Sequence, residues 1–573
     1  MMKRIIHICF VALALLSLCN QATAQSMDIG ELANIKSRKP IKLSGGISAN
    51  STYYDASEMY GRQPFTYQFN GNLNISLMEL VNIPLSFNLN NFGAQYSYPS
   101  LPNRLSLHPS YKWVRAHIGD VSMTFSPYTL SGHMFTGGGI ELTPGRWSFM
   151  AMGGRLVRKV DFNPLIPSVM PSYNRHGTGA KVRYNGDKFF VGTSFFTAKD
   201  QAKNIFFSAD SMGIFPKSNV ALGVEGGVTI LSKLKLSAEY ALSIMSHDIR
   251  PEINIDNDNG AFMRNMATNY YSAIRTALDY TFKKNTIGIG YERIEPQYQT
   301  LGAYYFNNDY QNITLNYARP LFGSKANIAL RGGAQRDDLD NSKESRNTRF
   351  VGSANVSYAP VDKLSMSLSA STFQGYRIVK SQFDYINQTT PYENLDTLNF
   401  VQISQNIDFN INWTVRSNDK SIQNIMFFTS YQEAADRQGK YILPGNLSRF
   451  LNASTIYSVD AIPINMNFNL GFNVSNNYSN MSNFLTLGPI LGVNARLFQQ
   501  TLMTGLSLSY NRSAEQSVPV ADVYNCRWNA NYRFFKRHAL QSSVMFQQQK
   551  RTIQSATKTT QSITAQIGYM FSF

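Results

Sequence analysis

Six histidines follow residue 24, namely His108, His117, His133, His176, His247 and His538, and Asp248 directly follows His247. A histidine oriented by a carboxylate is the usual apparatus of general acid–base work. Adjacent side chains on an extended segment point to opposite sides, however, so this pair cannot join through its side chains. No G-x-S-x-G elbow accompanies it. The run Asn254-Ile255-Asp256-Asn257-Asp258-Asn259-Gly260 sets carboxylates and amides at alternating places, like the start of a calcium loop. Its sixth place is Asn259 rather than Gly, and its twelfth is Asn265 rather than Glu, so a solvated loop tip is expected. The expectation is no catalysis, no metal and no cofactor.

The other candidates are charges that alternate with apolar residues. Lys181 and Arg183 interleave with Ala180, Val182 and Tyr184, and Lys235 and Glu239 with Leu234, Leu236 and Ala238. Arg275 and Asp279 lie out of phase with Ile274, Leu278 and Tyr280, and Arg331 with Ile328 and Leu330. Arg527 and Arg533 oppose Trp528, Ala530 and Tyr532, and Asp408 sits between Ile407 and Phe409 in phase with Asn410 and Asn412. A charge facing hydrocarbon at mid-depth costs ~2–4 kcal/mol. If the apolar sides meet lipid, all ten charges line an interior. They then either make a polar, anion-favouring conduit or pair with one another to fill it. Residues four apart on one strand lie ~13 Å apart, so partners must come from neighbouring strands. Both readings stand open at this point.

Strands must position these charges, and alternation runs from end to end. Phe65, Tyr67, Phe69, Gly71, Leu73, Ile75 and Leu77 share one face, and Ile83, Leu85, Phe87 and Leu89 another. Ile464, Met466, Phe468, Leu470, Phe472 and Val474 repeat the pattern. Strands of soluble sheets average ~5–6 residues. These runs reach the ~9–11 residues that a tilted membrane strand requires. Short connections, as at 78–82, 185–188, 231–233, 283–285, 319–324, 359–363, 416–420, 459–463, 497–500 and 535–538, take turns with long polar ones. The long ones include 198–217, 246–268, 336–347, 375–398 and 432–446. Short periplasmic turns and long extracellular loops are the two ends of an outer-membrane barrel. The region 98–175 is less regular, with Phe125-Ser126-Pro127-Tyr128 and Gly137-Gly138-Gly139 interrupting it. It holds either two hairpins or a strand plus a segment folded into the lumen.

The reading is all-β: one transmembrane, antiparallel, up-and-down β-barrel of about 24 strands, within the even-numbered range of 22 to 26. The barrel spans 41–573, behind a signal peptide at 1–24 and a short periplasmic segment at 25–40. Lys3 and Arg4, the apolar run 5–18 and Ala22-Thr23-Ala24 are the leader's three parts. Leu18 before Cys19 disfavours lipoprotein processing, and only Cys526 remains of three cysteines, which precludes an internal disulfide. Cys526 shares the lipid-facing phase of Trp528 and reads as a small apolar filler. Charged residues make up 16% of the chain against a typical ~25%, and aromatics reach 13%. The net charge of +17 becomes +15 without Lys3 and Arg4. There is no basic run, zinc spacing or RNA-binding signature, so no nucleic-acid partner is expected. The charge belongs in a lumen or in loops against lipopolysaccharide.

The last residues, 562–573, alternate strictly and end on Phe571 and Phe573. With Gln566 and Gly568 they resemble the C-terminal assembly signal of bacterial outer-membrane proteins. That resemblance implies insertion by the barrel-assembly machinery. The leader, the Asn/Tyr/Phe-rich strands and this ending together are similar to the large plug-less outer-membrane β-barrels of Bacteroidota, at the level of architecture. Residues 25–40 leave no room for the folded plug of a TonB-dependent receptor. The expected function is a channel in the cell outer membrane for transport or secretion of polar solutes or polymers, anionic ones included. The alternative is a non-conducting surface barrel whose loops bind a partner protein, glycan or lipopolysaccharide. Outer-membrane lipid, lipopolysaccharide and an accessory surface or periplasmic protein are the expected partners.

Overall fold

The computed structural model describes residues 40–57, 63–91, 103–161, 171–202, 213–250, 267–304, 306–342, 348–372, 375–378, 400–403, 405–434, 437–438, 441–442, 447–479, 482–553 and 556–573. The leader, residues 25–39 and the calcium-like run at 254–260 lie outside them.

Alternation becomes strand throughout. The staves are β1 Ile41–Ala56, β2 Phe65–Leu77, β3 Val81–Asn90, the two-part β4 Arg104–Leu107 and Ser110–Tyr111, β5 Val114–Thr124 and β6 Ser131–Leu142. Next come β7 Trp147–Val157, β8 Arg175–Asn185, β9 Phe189–Asp200, β10 Ser218–Ile230, β11 Leu234–Ser246, β12 Thr268–Phe282 and β13 Asn285–Ile294. They continue as β14 Tyr310–Leu321, β15 Ala326–Asp337, β16 Thr348–Val361, β17 Leu364–Ser371, β18 Gln405–Ser417, β19 Ser421–Ala434 and β20 Ser448–Ala461. The last are β21 Met466–Ser479, β22 Ser482–Leu497, β23 Leu502–Glu515, β24 Val518–Phe534, β25 His538–Ile553 and β26 Ala556–Ser572.

Every stave pairs antiparallel with its sequence neighbours. The ring closes when β26 pairs with β1, from Gly46 opposite Ser572 to Ala56 opposite Ser562. The sheet has 27 strand segments, but both parts of β4 lie between β3 and β5, so the closed wall has 26 staves. This even number falls within the range that alternation alone implied. Pro109 causes the interruption in β4: it has no N–H to donate and only accepts, from Ala116 N at 2.8 Å.

The wall's outward face is apolar. On β26, Ile563, Ile567 and Tyr569 stand exposed, with Ile567 60% accessible, and Phe573 follows just past its end. Leu506, Leu508, Leu470, Leu315 and Ile289 continue the belt on other staves. From Ile563 to Phe573 the belt spans the ~9–11 residues that a tilted strand needs to cross hydrocarbon. A closed antiparallel barrel satisfies every wall hydrogen bond internally, which lipid demands. The chain is an outer-membrane β-barrel.

Its two rims differ. One rim carries tight turns, several built on paired left-handed residues: Met78 and Glu79 (φ 51° and 56°), Leu231 and Ser232 (50° and 57°), Phe535 and Lys536 (50° and 59°). Such pairs match the twist of the flanking strands. The other rim carries the long connections up to β20, and there the pattern changes. Ser479 pairs with Ser482, Glu515 with Val518 and Ile553 with Ala556, so the last three outer connections are two-residue hairpins. The staves lengthen instead, to 17 residues in β24 and β26.

Within 98–175, Gly137-Gly138-Gly139 lies inside β6. A Cβ on Gly137 would overlap Gly153 O, and one on Gly139 would overlap the Met123 sulfur. The run Phe125-Ser126-Pro127-Tyr128 leaves the wall altogether and turns into the lumen.

Candidate functional site

The interior runs from one rim to the other, and its two sides differ chemically. The turn 125–130 joins β5 to β6, and Phe125 N closes it on Leu130 O at 2.8 Å. The connection 295–309 joins β13 to β14. The two segments meet inside. Ser131 N donates to Gly302 O (2.9 Å), Tyr298 Oη to Tyr128 O (2.7 Å) and Thr300 Oγ1 to Thr129 O (2.7 Å). Gly302 allows this approach: a Cβ there would lie 2.5 Å from Thr129 O and 3.0 Å from Leu130 Cα.

Between them and the wall lies an apolar core. Val121, Met123, Phe125, Leu130, Phe135, Met152, Leu156, Phe196 and Met245 form one buried cluster, and Tyr128, Ala241, Ala273, Ile294 and Tyr298 a second. Polar anchors hold the segments to the staves. Asn219 Nδ2 donates to Ser243 Oγ (2.8 Å), its Oδ1 accepts from Leu301 N (3.1 Å), and Ser243 Oγ donates to Gln299 O (2.5 Å). Tyr304 Oη accepts from Met134 N at 2.9 Å, and its ring stacks on His133 at 4.1 Å.

A row of charges crosses the wall at the foot of this core. Arg183, Gly192, Glu225, Glu239, Arg275, Glu292, Asn312, Gln335 and Arg349 stand side by side on β8 to β16. Six of the nine are charged, three of each sign. Glu225 and Glu239 are directly opposed, an arrangement that repels unless each finds another partner. Glu225 takes Lys181 Nζ (2.9 Å) and Arg183 Nη1 (3.3 Å), and Glu239 accepts from Ser126 Oγ. Glu292 accepts from Tyr128 Oη at 2.5 Å, and Lys181 Nζ also donates to Phe125 O at 2.5 Å. Burial and the Glu292 carboxylate push the Tyr128 phenol far up, and burial with Glu239 does the same to Tyr298. Both phenols therefore stay neutral donors.

Of the sequence candidates, Lys181, Arg183, Glu239 and Arg275 meet around this row. Lys235, Asp279 and Arg331 stand in a second one, through Gly288 and Asn316. Arg331 Nε donates to Thr314 Oγ1 at 3.3 Å. Asp408 lies apart and accepts from Ser430 Oγ at 2.7 Å. Arg527 reaches Met545 Sδ (3.3 Å), and Arg533 is in register with Ala539. Gln566 and Gly568 face Thr52 and Asn50 across the closing seam. Phe571 packs on His538 (4.8 Å) and edge-on to Phe573 (4.8 Å).

Sequence reasoning missed Glu225 and Glu292, although the flanking Val224 and Ile289 to Tyr291 alternation carries the same parity signal. The connection 295–309 had no periodic signal. Asp248 engages Arg250 (2.8 Å), whose hydrogen bonds hold the carboxyl below its usual range. Burial, then Lys217, lowers the His247 imidazole, which stays neutral. His108 and His117 share a contact between their Nδ1 atoms at 2.8 Å, and Glu141 lies 3.3 Å from the other nitrogen of His117. Among the described residues no three His, Cys, Asp or Glu side chains converge on a metal position.

The opposite arc carries amides and hydroxyls. Asn467, Asn494, Gly505, Asn529, Ser543, Gln566, Thr52 and Thr66 stand side by side on β21 to β26, β1 and β2, without a charge among them.

No protein-family model matches this chain, and no characterised protein matches it in sequence. Among solved structures, it is similar to the FrpB iron transporter from Neisseria meningitidis, at 12% identity and a TM-score of 0.37, over 94% of this chain and 84% of that one. It is also similar to the P pilus usher PapC translocation pore, at 9% identity and a TM-score of 0.40, over 93% and 100%. The copper transporter OprC aligns at 9% identity and a TM-score of 0.37, over 92% and 80%. Likeness at this level does not extend to function.

Proposed function

We propose that this barrel is an outer-membrane conduit for transport or secretion of polar solutes or polymers. One observation carries the reading. A ring of 26 staves is far too wide for its own inward side chains to fill, and among the described residues the segments 125–130 and 295–309 fold inward against one side, between β5 and β14. Passage runs along the other side, past β17 to β26 and β1 to β3. Lys181 and Arg183 act as paired wall groups rather than as a free cationic lining, because they share Glu225. No covalent chemistry is involved. The Asn/Tyr/Phe-rich staves and the Gln566, Gly568, Phe571, Phe573 ending support a place among large plug-less Bacteroidota barrels, inserted by the barrel-assembly machinery. The exposed belt meets lipid, and the outer rim meets lipopolysaccharide.

Planar-bilayer recording of the folded, heat-modifiable protein tests this. A steady, salt-dependent current supports it. Silence from correctly folded protein overturns it. The packed core between 125–130 and 295–309 favours one second reading, a closed surface barrel whose outer rim binds an accessory protein or glycan, and silence is that reading's expected result.

A further inference from the structure

Two rows of inward side chains circle opposite sides of the same lumen, and they are built for different tasks. On β8 to β16, six of nine positions are charged, and their anchors to 125–130 and the Lys181–Glu225 pair occupy them. On β21 to β26, β1 and β2, all eight positions are neutral amides, hydroxyls or glycine. The amides there are laid sideways along the wall. A Cβ on Gly505 would overlap Asn494 Oδ1 and crowd Asn529 Oδ1 (2.7 Å), so both carboxamides rest over the bare glycine between them. Gly568 likewise lies under the Asn50 carboxamide. Asn467 orients the lower end: its Nδ2 donates to Asp460 Oδ1 (3.0 Å), and its Oδ1 accepts from Asn469 Nδ2 (2.6 Å) and Asn494 Nδ2 (3.3 Å).

We infer that this amide-clad arc is a track for a neutral, hydroxyl-rich chain, that is, an uncharged oligosaccharide. The inference rests on the conduit reading and names its substrate class. A carboxamide presents a donor and an acceptor side by side, which is what successive sugar hydroxyls offer in return. A row without charge has no deep electrostatic trap, so a chain held by many weak bonds can advance along it. Arg527 and Arg533 on β24 stand in other rows, so this row itself offers an anionic polymer no cationic partner. Amides lying flat also keep the passage wide.

The test compares maltohexaose with hexagalacturonate as blockers of single-channel current, and measures maltohexaose binding to the detergent-folded barrel by equilibrium dialysis. Maltohexaose is expected to block longer than its anionic counterpart. In the Asn494→Leu/Asn529→Leu variant the block should shorten about tenfold, the loss expected from two hydrogen bonds. If that variant fails to fold, Asn494→Ser/Asn529→Ser shortens the reach with less change in polarity and should weaken the block in the same direction. Stronger block by hexagalacturonate overturns the inference. A conducting channel that neither sugar blocks also overturns it, and leaves the conduit reading intact. If the barrel is silent the conduit reading falls. Dialysis then decides the track alone: retained maltohexaose that the asparagine variants release upholds the amide wall as a glycan site, and no retention removes it.

Discussion

Across the closing seam Gly568 on β26 stands in register with Asn50 on β1, and the Asn50 carboxamide oxygen occupies the space that a Cβ at 568 would need. The glycine near the chain's end is thus a lumen-facing position, while Phe571 and Phe573 belong to the opposite, lipid-facing set. One strand end serves both surfaces of the barrel. The last pairing to form in chain order is also part of the amide wall.

Replacing Gly568 by Val should therefore weaken closure by about 1–3 kcal/mol, the usual scale of overpacking. The folded, heat-modifiable fraction on electrophoresis should fall. Adding Asn50→Ala removes the obstructing carboxamide and should restore most of it. An undiminished G568V barrel would show that the seam tolerates the added bulk.

The belt predicts a contrast between faces. Ile567→Arg places a charge in hydrocarbon and should destabilise the barrel by ~2–4 kcal/mol. Gln541→Arg, on the inward face opposite Gly568, should cost little. Equilibrium unfolding from lipid vesicles measures both, and equal losses would contradict the assigned faces.

Gly302→Val drives a side chain into Thr129 O and Leu130. The inward segments should lose about 1–3 kcal/mol of packing and detach while the wall stays closed. Protease cleavage within 125–130 or 295–309 should appear, and single-channel conductance should rise. Unchanged conductance with proven cleavage would mean that these segments do not narrow the passage.

Acid should release one outer-rim anchor. Hydrogen bonds from Arg250 depress the Asp248 carboxyl, so its folded pKa lies below the unfolded value of about 3.9. The anchoring is then complete above that value and is lost as pH falls through the lower, folded one. Protection of the Arg250 amide, which donates to Asp248 at 3.0 Å, should be flat from pH 5 to 8 and drop only in stronger acid. In Asp248→Asn it should be low throughout.

Much of this architecture is local information. A period of two dictates which side chains share a face, and the cost of a charge in lipid dictates which face turns inward. Alternation around Lys235, Arg275 and Arg527 was enough to assign each a side, and tight turns could be located from the gaps between runs. The turn geometry was harder to read, because Met78-Glu79 and Phe535-Lys536 adopt left-handed pairs without the Asn-Gly that usually announces them. The interrupted β4 also lacked a strand-length run, since Pro109 divides it.

What alternation cannot encode is which residues become neighbours across staves. Glu225 meets Lys181, and Tyr298 reaches Tyr128 from 170 positions away, only because register accumulates stave by stave around a closed ring. The inward fold of 125–130 and 295–309 depends on a cavity that exists only once the ring has closed. The chain by itself determined the strands and their two faces, because side-chain direction follows from each residue's own backbone. The tertiary structure alone decided the charged row, the buried core and the amide wall, because those are sums of contacts between distant segments.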